Sequence, residues 1–192
     1  MRVLGFVVAV ACAVSFGCGG SDTGPSGTTG TMRVMLKDSP FTDAKSLLVT
    51  FSEVDAHKSD TAEASWAKVP FAAAATSRTC DLKKLQTAQD VLGTGPLATG
   101  HYTQVRLVVT SAAIYFDNAA TGDACAATIA APAGRTASVT IPSGEVKLNR
   151  EFDVSSGTTT TMLLDFDGDK SVRETGNGQY MMSPVIGVVS VQ

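Results

Sequence analysis

Residues 102–110 read YTQVRLVVT, with Val105, Leu107 and Val109 on one parity and Gln104 and Arg106 on the other. A side-chain period of two belongs to a pleated strand with one buried face. Similar alternating or β-branched runs occupy 32–36, 46–58, 113–116, 136–141, 151–154, 158–166 and 179–189. Between and around them lie turn-forming groups: Asp38-Ser39-Pro40, Gly95-Pro96, Pro132-Ala133-Gly134, Pro142-Ser143-Gly144, Ser156-Gly157 and Gly176-Asn177-Gly178. Many short strands punctuated in this way predict an all-β fold, a sandwich or a barrel. One segment departs from the period. Asp81 is placed to cap a helix, and Leu82, Leu85 and residues 89–92 predict one or two helical turns within 81–92. Pro184 lies inside the last run and predicts an edge or a bulge there.

The first residues form no part of that pattern. Arg2 supplies a positive charge, and residues 3–14 follow without a charged side chain. As a helix those residues would extend ~18 Å, too short for a ~30 Å hydrocarbon core but the right length for the apolar region of a secretion signal. The signal is assigned to residues 1–17, leaving 175 of the 192 residues, ample for one domain over 31–192. Ser15-Phe16-Gly17-Cys18 resembles the lipobox of bacterial lipoproteins, which implies that Cys18 is acylated and becomes the mature N-terminus. Ordinary signal-peptidase cleavage is the alternative, since Ala11-Cys12-Ala13 and Ser15-Phe16-Gly17 offer small residues at suitable offsets. Residues 19–31 (GGSDTGPSGTTGT) contain no large apolar side chain and suit a flexible tether, assigned with Cys18 to 18–30. The expected location is therefore the bacterial cell envelope, held to a membrane by lipid, or alternatively soluble in the periplasm or medium.

Four cysteines then have separate expected fates. Cys12 leaves with the signal, Cys18 carries lipid, and Cys80 and Cys125 are an even pair in an oxidising compartment. A disulfide is the default for the pair; two buried free thiols are the alternative, because spacing alone does not bring their Cα atoms together. The 15 Lys and Arg against 18 Asp and Glu give a net charge of −3, which supplies neither a nucleic-acid footprint nor a polybasic lipid patch.

Taken together, TMRVMLKDSP (31–40), VTFSEVDAHKSD (49–60), Trp66 in SWAKV, CDLKKLQ (80–86), LATGHYTQVRLVVTSA (97–112), IPSGEVKLNREFDV (141–154), LLDFDGDKSV (163–172) and GNGQYMMSPVIGVV (176–189) resemble a bacterial and archaeal family catalogued as domain of unknown function 4382. That family is often found in lipoproteins, and the resemblance implies an envelope location but no activity. The LATGHYTQVRL segment is also similar to the Gly-x-Tyr turn and strand of transthyretin-like and carboxypeptidase-regulatory sandwiches; this analogy, of fold alone, implies an antiparallel β-sandwich of the immunoglobulin-like or transthyretin-like kind.

Two clusters are candidates for chemistry. Asp165, Asp167 and Asp169 alternate around Gly168, a set of hard oxygen ligands suited to Ca²⁺. The simpler reading is a strand end, with Leu164 and Phe166 inward and the carboxylates outward or capping a turn. Glu53, Asp55 and His57 share one face of a strand and could combine carboxylate and imidazole for acid–base work or metal binding. The simpler reading there is a solvated face, with a bulge near Ser52 reconciling Glu53 with the parity of Phe51. His101, next to Tyr102, could sit at a binding surface or equally in a turn beside Gly100, and Trp66 reads as a core or rim aromatic rather than a sugar-stacking platform. No G-x-S-x-G, H-E-x-x-H or phosphate-binding Gly loop is present in the sequence. The expectation is a monomeric, non-enzymatic binding or structural module without a cofactor, its envelope protein or glycan partner unspecified. The alternative is a calcium-dependent binder or metal-assisted enzyme built on one of the two clusters.

Overall fold

A computed structural model describes residues 28–39, 44–59 and 65–192. The signal, Cys18 and most of the tether lie outside the described residues. The fold is an all-β sandwich. The first layer is a four-stranded sheet made of β1 (Thr29–Ser39), a later β5 (Asp90–Ala98), β10 (Thr159–Asp167) and β13 (Ile186–Val191), in the order β13-β10-β1-β5. Met32, Val34 and Leu36 of β1 and Met162, Leu164 and Phe166 of β10 point inward and are fully buried.

The second layer has nine strands: β2 (Ser46–Lys58), β3 (Ser65–Lys68), β4 (Arg78–Asp81), β6 (Gly100–Tyr115), β7 (Cys125–Ala126), β8 (Thr136–Thr140), β9 (Glu145–Val154), β11 (Val172–Gly176) and β12 (Gln179–Met182). Its backbone is the long antiparallel pair β2–β6. One half of that pair is flanked by β3 and β9, and the other by β4–β7 and by β8–β12–β11. The runs expected at 102–110 and 113–116 are one strand, because no Gly or Pro interrupts them. A register shift near Thr110 is enough to keep Val109 and Ala112 facing the core.

The layers close on apolar side chains from both inner faces. Phe51 meets Phe166 edge-on at 6.3 Å between ring centroids. Tyr102 stacks on Phe152 at 5.2 Å, and its hydroxyl donates to the Ala98 carbonyl at 2.8 Å. Each fully buried aromatic of this kind contributes roughly 2–3 kcal/mol.

Four sequence expectations are corrected. The sheets are mixed rather than purely antiparallel, since β1–β10 and β8–β12 run parallel. Helix α1 spans only Leu82–Leu85, and residues 90–92 belong to β5. The cap at Asp81 is correct, accepting from the Lys83 amide at 3.2 Å; Leu82 and Leu85 are buried, so one turn exhausts the apolar face. Gly95-Pro96 is not a turn but part of β5, which tolerates proline at the sheet edge. Pro184 lies between β12 and β13, where the chain crosses from one layer to the other; β13 itself is an edge strand. Cys80 and Cys125 face each other across β4 and β7 and form a disulfide with Cα atoms 4.1 Å apart, both side chains buried.

Candidate functional site

The first acidic cluster sits where β10 leaves the small sheet and enters the short helix α2 (Gly168–Ser171). The carboxylates there stand at a strand end, each in its own setting. Asp165 lies beside β1, 3.1 Å from the Lys37 ammonium, and accepts from the Ser39 hydroxyl at 3.0 Å. Asp167 caps α2, taking the Lys170 amide at 3.0 Å and its ammonium at 2.7 Å, and these hydrogen bonds hold its carboxyl below the usual range. Asp169 is exposed in the first turn of α2. Asp165 and Asp167 are thus each committed to a lysine. Among the described residues no three His, Cys, Asp or Glu side chains are grouped to hold a metal ion.

The corner depends on two residues outside the candidate clusters, Asp38, expected in a turn but placed at the end of β1, and Ser171. Asp38, at the end of β1, is buried and accepts from the Gly168 amide at 3.0 Å. Burial pushes its carboxyl up to about 7, with the Gly168 and Gln86 hydrogen bonds only partly opposing the rise. Ser171 is buried as well. Its hydroxyl donates to the Asp167 carbonyl and accepts from the Val185 amide at 2.8 Å, tying the outgoing crossing to the returning one.

The second cluster lies on the outer face of the large sheet. A register shift between Phe51 and Glu53 leaves Ser52 bulged, as the parity conflict requires, and turns Glu53 outward. Cross-strand pairing then builds two transverse rows. Lys68, Asp55, Arg106 and Lys147 align across β3, β2, β6 and β9; Trp66, His57, Gln104 and Asn149 align in the next row. Asp55 is 3% exposed despite its outward parity. The Arg106 guanidinium covers it, donating from Nη2 at 2.6 Å and from Nε at 3.2 Å. Glu53 at 3.6 Å and Glu145 at 3.8 Å flank the same guanidinium. The Asp55 hydrogen bond and the carboxylates around it raise the Arg106 pKa further. Trp66 lies over Arg106 at 4.7 Å and against His57 at 5.1 Å, which makes it a rim aromatic.

The three residues expected to act together therefore divide. Glu53 and Asp55 converge on Arg106, whereas His57 Nδ1 pairs with the Thr103 hydroxyl at 3.0 Å. Arg106 was legible only as one of the polar residues opposite Val105 and Leu107. Its partner on β2 becomes visible only with the register. His101 forms a separate exposed pair with Asp153 at 2.9 Å.

A two-layer β-sandwich with one buried cross-strand disulfide and a polar, arginine-centred outer face is the class of protein these observations define. Within it, the chain belongs to the family described as Domain of unknown function (DUF4382), whose model matches residues 29–184. No curated protein and no solved structure matches the chain.

Proposed function

We propose that the protein is a lipid-anchored, non-enzymatic binding or structural module of the bacterial cell envelope. The observation that carries the non-enzymatic reading is how the candidate acid–base groups are used. Asp55 neutralises a guanidinium against burial, and Asp165 and Asp167 pair with lysines. Groups tied into structure in this way are poor proton carriers, because each change of charge would cost a fold contact. What the sandwich offers outward is the flat row of Trp66, His57, Gln104 and Asn149, a surface suited to recognition. The anchor rests on the sequence: a 12-residue apolar run, Gly17-Cys18 and a core-free arm. Several acyl chains at ~0.8 kcal/mol per buried CH₂ give stable attachment.

Membrane fractionation of cells making the native chain and Cys18→Ser tests the anchor. The native chain sediments with membranes and incorporates a fatty-acid label, and Cys18→Ser loses both; an unlabelled native chain or a Cys18→Ser chain still held by membranes contradicts it. For the second half of the proposal, turnover of any substrate that disappears in Asp55→Asn with the fold intact would replace a binding module with an enzyme.

A further inference from the structure

The β2 edge is interrupted between its two neighbours. β3 pairs with Asp55 to Lys58, and β4 pairs with Leu48 to Phe51. Between them the chain at 69–77 leaves the large sheet and crosses to the small one, where Phe71 bridges Gly93 and the Pro70 carbonyl accepts from the Thr94 amide at 2.8 Å. The notch left beside Ser52 and Glu53 is a cavity of about 370 Å³. That volume lies within the range of small-ligand sites, at its lower end.

Two backbone irregularities meet at this cavity. One is the Ser52 bulge, a feature that tends to occur next to functional sites. The other is a left-handed turn at Ala73 and Ala74, with φ of 58° and 53°. Residues bearing a Cβ disfavour that region, and glycine would adopt it freely. Alanine at 74 puts a methyl group on the cavity wall that glycine would lack. Val54, Val69, Pro70, Phe71 and Ala75 make the rest of the lining largely apolar.

The polar groups at the cavity are unequal. Glu53 is partly neutralised by Arg106 at 3.6 Å, whereas the Lys68 ammonium is exposed and has no ion-pair partner among the described residues. An apolar chamber edged by a cation without an ion-pair partner suits a small apolar molecule bearing a negative charge, held on the Lys68 side away from Glu53. We propose that this notch binds medium-chain carboxylates, with the carboxylate on Lys68 and the hydrocarbon against Val54, Phe71 and Ala74. The site uses neither the anchor nor the row of Trp66, His57, Gln104 and Asn149, so it stands or falls separately from the function proposed above.

The test is calorimetric titration of the full protein with octanoate, octanamide and octylamine below their micellar ranges, with amide chemical shifts as a second readout. Octanoate binds saturably, about tenfold more tightly than octanamide, the ratio expected for one charge-assisted contact, and more tightly than octylamine. Shifts concentrate at residues 52–54 and 68–76. Lys68→Met brings octanoate down to the affinity of octanamide, and Ala75→Phe, which fills the chamber, weakens both. Folding of each variant is read from its amide spectrum, and Lys68→Met, on the surface, carries the result if Ala75→Phe is unfolded. Absence of saturable octanoate binding at millimolar concentration, equal affinity for acid and amide, or an unchanged octanoate affinity in Lys68→Met overturns the proposal.

Discussion

Replacing Asp38 by asparagine removes a carboxyl that burial pushes up to about 7. In the unfolded chain the same group titrates near 3.8. The folded state therefore holds its proton more tightly than the unfolded state does. The stabilisation this provides is complete below about pH 4, declines as pH rises between the two values and is gone above about 7. Three pKa units at 1.36 kcal/mol each give about 4 kcal/mol across that window, or roughly 10 °C in Tm for a domain of this size. Asparagine keeps an oxygen for the Gly168 amide, which Asp38 now serves at 3.0 Å, and cannot ionise. Urea unfolding followed by circular dichroism at a series of pH values from 4 to 8 measures the difference between wild type and Asp38→Asn. Titrations common to the two proteins cancel in that difference. The wild type should lose stability relative to Asp38→Asn as pH rises, by a few kcal/mol. Parallel profiles for the two proteins would refute the assignment of Asp38 as a buried, proton-holding carboxyl.

Three further outcomes follow from the packing. Arg106→Ala leaves Asp55 buried without its guanidinium and should destabilise by about 3–5 kcal/mol, measured by denaturant unfolding; Asp55→Asn in the same background should recover much of that loss. Reduction of Cys80–Cys125, which encloses a 45-residue separation, should cost about 4 kcal/mol and lower Tm without changing the far-ultraviolet spectrum at 25 °C. Gly144→Ala drives a methyl group into the Val109 carbonyl, at a point where the Val109 amide also donates to the Gly144 carbonyl at 2.9 Å, so a fall in Tm larger than that for Gly157→Ala is expected.

The elements most legible in the sequence were those whose burial alternates strictly. Strand β6 shows Val105, Leu107 and Val109 buried between partly exposed neighbours, and its period survives any choice of partner. Strand β5 was hidden by Gly93, Gly95 and Pro96, which normally mark turns. Here the glycines are demanded by close approach: a Cβ on Gly93 would lie 2.9 Å from the Pro70 carbonyl oxygen, and one on Gly95 would strike the Pro70 ring. Strands β3, β4 and β7, of four, four and two residues, are too short to display a period; β3 and β4 add to β2, and β7 adds to β4. The site was half legible for a related reason. Alternation placed Glu53, Asp55 and His57 on one face, but their chemistry is fixed by the strand beside them, and only the register puts Arg106 opposite Asp55 and Gln104 opposite His57. The contacts of the Asp165–Asp169 motif were not legible in its own sequence. Carboxylates that resemble a calcium loop here cap a helix and pair with Lys37 and Lys170, while Asp38, far away in sequence, secures the same corner.

The most direct measurement of the central claim is the mass of the mature N-terminal peptide from membranes of the producing bacterium. Lipid anchoring predicts a peptide that begins at Cys18 and carries the added mass of acyl chains. A soluble protein with an unmodified Cys18, or one whose chain begins at another residue, would contradict it.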